Sequence, residues 1–370
     1  MSGAGIPLVD LKAQHAEIAD EVAAGFARVI ADTAFVLGPQ VRAFEEEFAR
    51  FCGLPHCVGV ANGTDAIELT VRALGLKAGD EVIVPANTFI ASALGVVRAG
   101  ARPVIVDCDD YQLLDPTRIE AAIGPRTRAV LPVHLFGQMA DMEAVSEIAG
   151  ARGLTVIEDG AQSQGARRNG RPAGSFGVAA AISFYPGKNI GAYGDAGAVV
   201  TSSEEIAGHL RKLRNWGSEV KYHHPEIGFN SRLDTLQAVV LSAKLKRLDA
   251  WNAARRQAAA RYDELLAGAP GVELPQTLPG NEHVWHLYVV RVANRDEVLA
   301  KLNAEGIGAG IHYPVPLHLH GALSDLGYRA GDFPVAEKAA AEILSLPMYP
   351  HITPEQQERV ADGLRKAMGE

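Results

Sequence analysis

Seven short runs of apolar, β-branched residues recur along the chain, at 57–61, 81–85, 102–107, 129–135, 154–158, 180–184 and 197–202. Most are near-continuous rather than alternating, the pattern of strands covered on both faces. The intervals between most of them leave room for a crossover helix, which predicts a largely parallel sheet in an α/β fold. The last two runs are joined only by a short loop around Lys188, so one strand there is expected to run antiparallel. Helical periodicity then extends from about Arg232 to Leu266, carried by Leu236, Val239, Val240, Ala243, Leu245, Leu248 and Trp251. It reads as one long link into a smaller C-terminal unit with a strand at 286–292, helices near 296–305 and 334–344, and a last helix from Pro354. The expected organisation is a large domain over 1–245, with a mostly parallel seven-stranded sheet, and a smaller α+β domain over 246–370.

Composition narrows the class. The chain has 370 residues, 48% of them hydrophobic, which suits a soluble protein with a large core. A net charge of −9 argues against generic nucleic-acid binding, which needs clustered positive charge. No apolar run approaches the roughly 20 residues that span a bilayer, and the stretch from Met1 to Asp20 is polar. The three cysteines, Cys52, Cys57 and Cys108, lack metal-ligand spacing; their odd number leads to the expectation of a reducing cytoplasm.

Three segments carry candidate chemistry. In Ser183-Phe-Tyr-Pro-Gly-Lys188-Asn a single lysine sits in a glycine-flanked loop between two predicted strands. Partial desolvation there would lower its pKa, and a neutral amine can attack an aldehyde. Alone, the same loop reads equally as one with a solvated lysine. Upstream, Leu154-Thr-Val-Ile-Glu-Asp159 is a strand ending in an acid, where open α/β sheets bind ligands; Asp159 suits the pyridine nitrogen of a pyridoxal ring, or simply a helix N-cap. Asn62-Gly63-Thr64 follows a strand and opens a helix, whose N–H groups and hydroxyl suit a phosphate or an ordinary cap. No G-x-G-x-x-G follows the strand, and Gly187-Lys188 lacks the rest of a P-loop.

Taken in order, these segments resemble the fold-type I pyridoxal-phosphate enzymes, and more narrowly the DegT/DnrJ/EryC1/StrS family of nucleotide-sugar aminotransferases. The resemblance also runs through Asp80 to Phe89, Val133-His-Leu-Phe-Gly137, Glu158 to Ser163, Gly228-Phe-Asn-Ser-Arg-Leu-Asp234 and His312-Tyr-Pro314. It implies pyridoxal 5'-phosphate bound covalently to Lys188, with Asp159 on the pyridine nitrogen and Gln162 by the phenolic oxygen. It places Gly63, Thr64 and Ser183 on the phosphate and Phe89 over the ring. Asn230 would reach the phosphate of a neighbouring subunit, so the resemblance implies a homodimer with shared active sites. Tyr185, Lys221, Arg232, His312 and Tyr313 become candidates for the substrate side, with Arg232 a dock for the glutamate carboxylate. Gly160, Gln164 and Ala196 depart from the usual family text.

The remaining signals are weaker. His318-x-His320 is the one close histidine pair in a proline-rich loop, but it has no neighbouring carboxylate or cysteine, so no metal is expected. Arg211, Lys212 and Arg214 read as a solvated helix face or as local charge for a nucleotide diphosphate. The text around Lys188 and Tyr222 resembles members that aminate C3 of dTDP-3-keto-6-deoxyhexoses with glutamate as donor. A UDP-linked 3-keto-uronic acid is the enzymatic alternative. A regulator without turnover is the other, and the intact Lys188, Asp159 and Gln162 argue against it.

Overall fold

The apolar runs become the strands of one sheet in the computed structural model, which describes residues 5–370; Met1 to Ala4 of the polar N-terminal stretch lie outside the described residues. The strands are β1 (His56–Val60), β2 (Glu81–Pro85), β3 (Arg102–Val106), β4 (Thr127–Val130), β5 (Thr155–Asp159), β6 (Ala179–Ser183) and β7 (Gly197–Thr201). Their order is β1-β7-β6-β5-β4-β2-β3. Only β7 is antiparallel to its neighbours, as expected from the short connection around Lys188. Val58, Val60, Val82, Ile83, Val84, Val130, Ile157 and Val199 are fully buried. Each such side chain contributes about 1.5–3 kcal/mol of transfer free energy.

The run expected at 129–135 ends as a strand at Val130. Pro132 has no N–H to extend the ladder, and the chain continues as a single bridge between Val133 and Asp159. The apolar text persists because these residues stay buried, and Leu131 N–H and Pro132 O still bond to Ile83 O and Asp159 N–H beyond the strand's end.

The longer helices are α1 (Ala19–Asp32), α2 (Pro39–Phe51), α3 (Gly63–Ala73), α4 (Ile90–Arg98), α5 (Met142–Arg152), α6 (Glu204–Leu213), α7 (Thr235–Leu245), α8 (Leu248–Leu266), α9 (Arg295–Ala304), α10 (Pro334–Glu342) and α11 (Pro354–Met368). The single helix expected over 232–266 is therefore two. Arg247 N–H turns to Lys244 O, while its guanidinium takes Ala243 O and Glu21. No glycine or proline marks the break. The helix expected to reach residue 344 stops at Glu342, because Ile343–Leu346 pairs with the strand Tyr288–Val292. With Val272–Glu273 (β8), Tyr288–Val292 (β9) and Ile343–Leu346 (β10) make a small antiparallel sheet, in the order β8-β9-β10.

A separate apolar core packs on that small sheet and includes Tyr262, Tyr288, Leu302, Leu344 and Leu364. Ile6 joins it from the other end of the chain, bonded in register with Ile307. Asp107, just past β3, accepts the backbone N–H groups of Val335 (3.0 Å) and Ala336 (2.9 Å) and so caps α10. Leu317 N–H donates to Ala86 O at 2.8 Å, and Val284 N–H to Gly137 O at 2.9 Å. Among the described residues no helix is long and apolar enough to cross a membrane.

Candidate active site

The site lies at the carboxyl ends of the parallel strands, where loops from β1, β2, β4, β5 and β6 converge. Side chains alternate along β5, so its two consecutive acids serve opposite faces. Glu158 is fully buried and takes four donors. His134 Nε2 and Gly174 N–H reach one oxygen at 2.8 Å each, and Phe176 and Gly177 N–H reach the other at 2.8 and 2.7 Å. Burial pushes this carboxyl up, but His134 and the backbone donors outweigh it and hold Glu158 below the ordinary range. His134 Nδ1 accepts from Ala140 N–H at 3.3 Å, so the proton sits on Nε2 and the ring is held in one tautomer.

Asp159 is buried on the other face. It accepts Ser92 Oγ–H at 2.7 Å and its own Ala161 N–H at 3.1 Å. The second bond is a turn rather than a helix cap. Ser92 in turn lies 2.9 Å from Thr88 Oγ1. Among the described residues no arginine or lysine forms an ion pair with Asp159 within bonding distance, so its carboxylate remains available to a cationic group.

Lys188 sits in the loop between β6 and β7. Phe184 anchors that loop by packing edge-on against Phe44 and Phe48, with ring centroids 5.4 and 5.1 Å apart. Lys188 N–H closes a turn to Tyr185 O, and Ala192 N–H returns to Phe184 O. Desolvation draws the Lys188 amine down to about 8, against the opposing pull of the Asp159 carboxylate. The expected lysine and acid are thus brought together.

Gln162 is buried between two contacts. Its oxygen accepts Phe136 N–H at 2.6 Å, and its amide donates to Tyr313 Oη at 3.0 Å. Phe136 adopts φ 60°, a left-handed conformation that costs a non-glycine residue about 1–3 kcal/mol, and the bond to Gln162 helps to hold it. Tyr313 also meets Phe89, centroid to centroid at 5.0 Å; the Phe89 ring is 50% exposed and offers a free face. His312 Nδ1 lies 2.8 Å from Ser345 Oγ. Burial, then the Lys188 charge, pulls His312 down to about 4.

At the mouth of α3, Asn62 Oδ1 caps Asp65 N–H at 2.8 Å, leaving the N–H groups of Gly63 and Thr64 without intrahelical acceptors. A Cβ on Gly63 would stand 2.7 Å from the Ser183 Cβ, and one on Gly197 would stand 2.9 Å from Gly63 N. Only glycine lets the helix mouth approach Ser183 so closely. The result is a cradle of backbone N–H groups beside a hydroxyl, which fits an anion such as a phosphate. With the buried Asp159 carboxylate and the desolvated Lys188 amine, the residues present fit pyridoxal 5'-phosphate.

A model of the DegT/DnrJ/EryC1/StrS aminotransferase family matches residues 16–365. The chain belongs to that family. This aminotransferase family is pyridoxal-phosphate dependent, and the member described here is a fold-type I enzyme. A dTDP-3-amino-3,4,6-trideoxy-alpha-D-glucose transaminase of Streptomyces venezuelae is 49% identical over 362 residues, covering 98% of this chain and 96% of the relative. A UDP-N-acetyl-3-dehydro-alpha-D-glucosamine 3-aminotransferase of Acidithiobacillus ferrooxidans is 46% identical, covering 98% of both chains. The crystal structure of S. venezuelae DesV in complex with a ketimine intermediate superposes with a TM-score of 0.97 at 49% identity, covering 99% of each chain.

The remaining candidates of this aminotransferase lie in the lysine loop itself and in the segment from Lys221 to Arg232. Tyr185 is exposed at the lysine loop, its N–H 3.3 Å from Ser183 Oγ. Lys221 is exposed and lies over the Tyr222 ring at 5.0 Å. Arg232 donates to Asn215 Oδ1 at 3.3 Å, and the exposed Asn230 bridges Asn215 through its backbone. Ser231, between them, is buried and donates to Asp65 at 2.7 Å, which fastens this segment beside the α3 mouth.

Several site residues were not anticipated from the sequence. Ser92 had a usable signal, a lone hydroxyl in the apolar helix Ile90-Ala-Ser-Ala-Leu-Gly-Val-Val-Arg98. Gln164 donates to Ala161 O and Ser183 O at 3.1 and 2.8 Å, tying the turn after β5 to the end of β6. His318 and His320 do not converge: His318 Nε2 bonds Glu337 and His320 Nε2 bonds Val315 O. Among the described residues no cluster of three or more His, Cys, Asp or Glu could hold a metal.

Proposed function

We propose that this aminotransferase moves the amino group of L-glutamate to C3 of a dTDP-linked 3-keto-6-deoxyhexose, working in the cytoplasm as a homodimer with shared active sites. The observation that carries the reading is a desolvated Lys188 beside a buried Asp159, with the glycine-lined α3 mouth set against Ser183. Pyridoxal phosphate, when bound, supplies an aldehyde for the amine and a ring that takes up electrons from the substrate carbon.

Lys188 supplies the amine. At pH 7 a pKa of about 8 leaves roughly a tenth of it neutral, against about three in ten thousand at the ordinary lysine value. Asp159 would hold a proton on the ring nitrogen, and Ser92 fixes that carboxylate in place. Gly63, Thr64 and Ser183 would grip the phosphate, Phe89 would cover the ring, and Gln162, bonded to Tyr313, would address its oxygen side. The Lys188 amine would be the group placed to remove or return the proton at the carbon that exchanges nitrogen.

The homodimer reading is supported by the segment carrying Lys221, Asn230 and Arg232. It presents Tyr222 at 83% and Ile227 at 89% exposure, apolar surface that a partner chain would cover. The dTDP sugar follows the 49% identity to the S. venezuelae transaminase, and the A. ferrooxidans relative supplies the competing UDP-linked class. The test starts from enzyme whose cofactor has taken the amino group of glutamate. Nucleotide keto-sugars are then screened for return of the yellow absorption. Return with a dTDP-3-keto-6-deoxyhexose supports the proposal. Return only with UDP-linked sugars replaces the substrate, and return with none of them rejects the reading.

A further inference from the structure

Asn189, the residue after Lys188, is fully buried, and its side chain makes three bonds. Its Nδ2 donates to Val284 O and to Asn252 Oδ1, both at 2.9 Å. Its Oδ1 lies 3.2 Å from Nδ1 of His286. Asn252, on α8, donates through its own Nδ2 to Gln164 O at 2.9 Å. Two of these partners are backbone carbonyls, which can only accept, so they fix the orientation of both amides. With Nδ2 of Asn189 spent on two acceptors, its Oδ1 has to accept. The ring proton of His286 therefore sits on Nδ1, a tautomer that follows from connectivity.

The bonds join four parts of the chain behind the lysine loop: α8, the segment leading into β9, the turn after β5 and, through Gln164, the Ser183 carbonyl at the end of β6. Asn189 and His286 lie outside the roles assigned so far. The charged and titratable groups facing this spot are Asp159 from β5, Lys188 itself, Arg255 from α8, and His283 and His312 from the neighbouring loops. Burial first, then the Lys188 and Arg255 charges, hold His286 well below the ordinary histidine value, so the ring is neutral. A neutral donor can clamp the loop without placing a second positive charge beside the lysine.

We propose that Asn189 and His286 are positioning residues for Lys188, an amide–imidazole clamp that keeps its amine in the desolvated cleft instead of in water. The proposal rests on the reading of Lys188 as the cofactor lysine. Replacing Asn189 by alanine strands the Val284 carbonyl, Asn252 Oδ1 and the His286 N–H. Water then enters behind the loop, and a hydrated lysine returns toward its ordinary pKa.

The test reads the lysine itself. The full-length chain, freed of cofactor, is acylated at a series of pH values, and label on the Lys188 peptide is counted by mass spectrometry. The wild-type midpoint is expected near pH 8. In Asn189→Ala and in His286→Leu it should rise by about one unit, a roughly tenfold slower labelling at pH 7. In His286→Gln, whose amide can still donate to Asn189, it should stay near 8. A folded Asn189→Ala chain with an unmoved midpoint overturns the proposal. A second measurement needs no clamp variant to fold: 15N-labelled wild-type protein should show His286 protonated at Nδ1 from pH 5 to 8, and a proton on Nε2 overturns the clamp. Failure of borohydride to fix cofactor on Lys188 would instead remove the underlying reading, an outcome distinct from either of these.

Discussion

Glu158→Gln is the sharpest test of how the scaffold holds the site. Each carboxylate oxygen of Glu158 accepts two donors, one pair being His134 Nε2–H and Gly174 N–H, the other Phe176 and Gly177 N–H. Glutamine has the same shape but one acceptor oxygen. Whichever way the amide turns, its NH2 faces two N–H groups. The variant therefore loses two charge-assisted hydrogen bonds in a dry interior, at about 1.5–3 kcal/mol each, so about 3–6 kcal/mol in all. For 370 residues the entropy of unfolding is about 0.8 kcal/mol/K, so the melting temperature should fall by about 4–8 °C. Calorimetry at pH 7 reads this directly. The sign with pH is also fixed. The folded carboxyl sits below its ordinary value, so its stabilisation is complete above about pH 4.5 and is lost as pH falls through the folded value. The gap between wild type and variant should narrow under acid. A melting temperature within 1–2 °C of wild type at pH 7, on the same ~0.8 kcal/mol/K scale, would refute the four-donor account.

Asp159→Asn should keep the fold and lose most turnover, because an amide cannot stabilise a protonated ring nitrogen; near wild-type rates would remove Asp159 from that role. Mixing inactive Lys188→Ala with inactive Asn230→Ala chains should restore part of the activity, since one of the two composite sites then carries neither lesion. Heterodimers without recovery would put Asn230 in its own chain's site. Buried His283 is held at about 3 by desolvation, so below pH 6.5 the unfolded chain gains a proton that the folded chain refuses. At pH 5 this one residue should cost about 2 kcal/mol of stability, which His283→Gln should recover in part in denaturant titrations.

The elements legible in the sequence were those with a local signature. Near-continuous β-branched runs gave the buried strands, and the short link around Lys188 betrayed the antiparallel β7. The break at Lys246–Arg247 was hidden because it is made by Glu21, far away in sequence, rather than by a helix breaker. The strand at Ile343–Leu346 was hidden because an alanine-rich helix runs straight into it, and only pairing with Tyr288–Val292 decides its state. Lys188 and Asp159 stood out because each is a charge at the end of an apolar run. Asn189 and His286 act through bonds across 63 to 97 residues, which no local pattern encodes, whereas Ser92 showed as a lone hydroxyl in an apolar helix without revealing its partner 67 residues away.

The Asp107 cap on α10 bears on how substrate gets in. Two backbone N–H groups of the C-terminal unit are held by a carboxylate at the edge of the large sheet, and Leu317 and Val284 add backbone bonds across the same boundary. Pulling α10 away from the sheet would break the two bonds to Asp107 alone at a cost of about 3–6 kcal/mol. Such a jaw would stand open less than about one part in a hundred of the time, since each 1.4 kcal/mol is a factor of ten. A bulky sugar nucleotide then has to enter past an α10 that stays latched to the large sheet, not through a jaw opened at Asp107. The rate of entry should therefore not be limited by opening at the Asp107 latch.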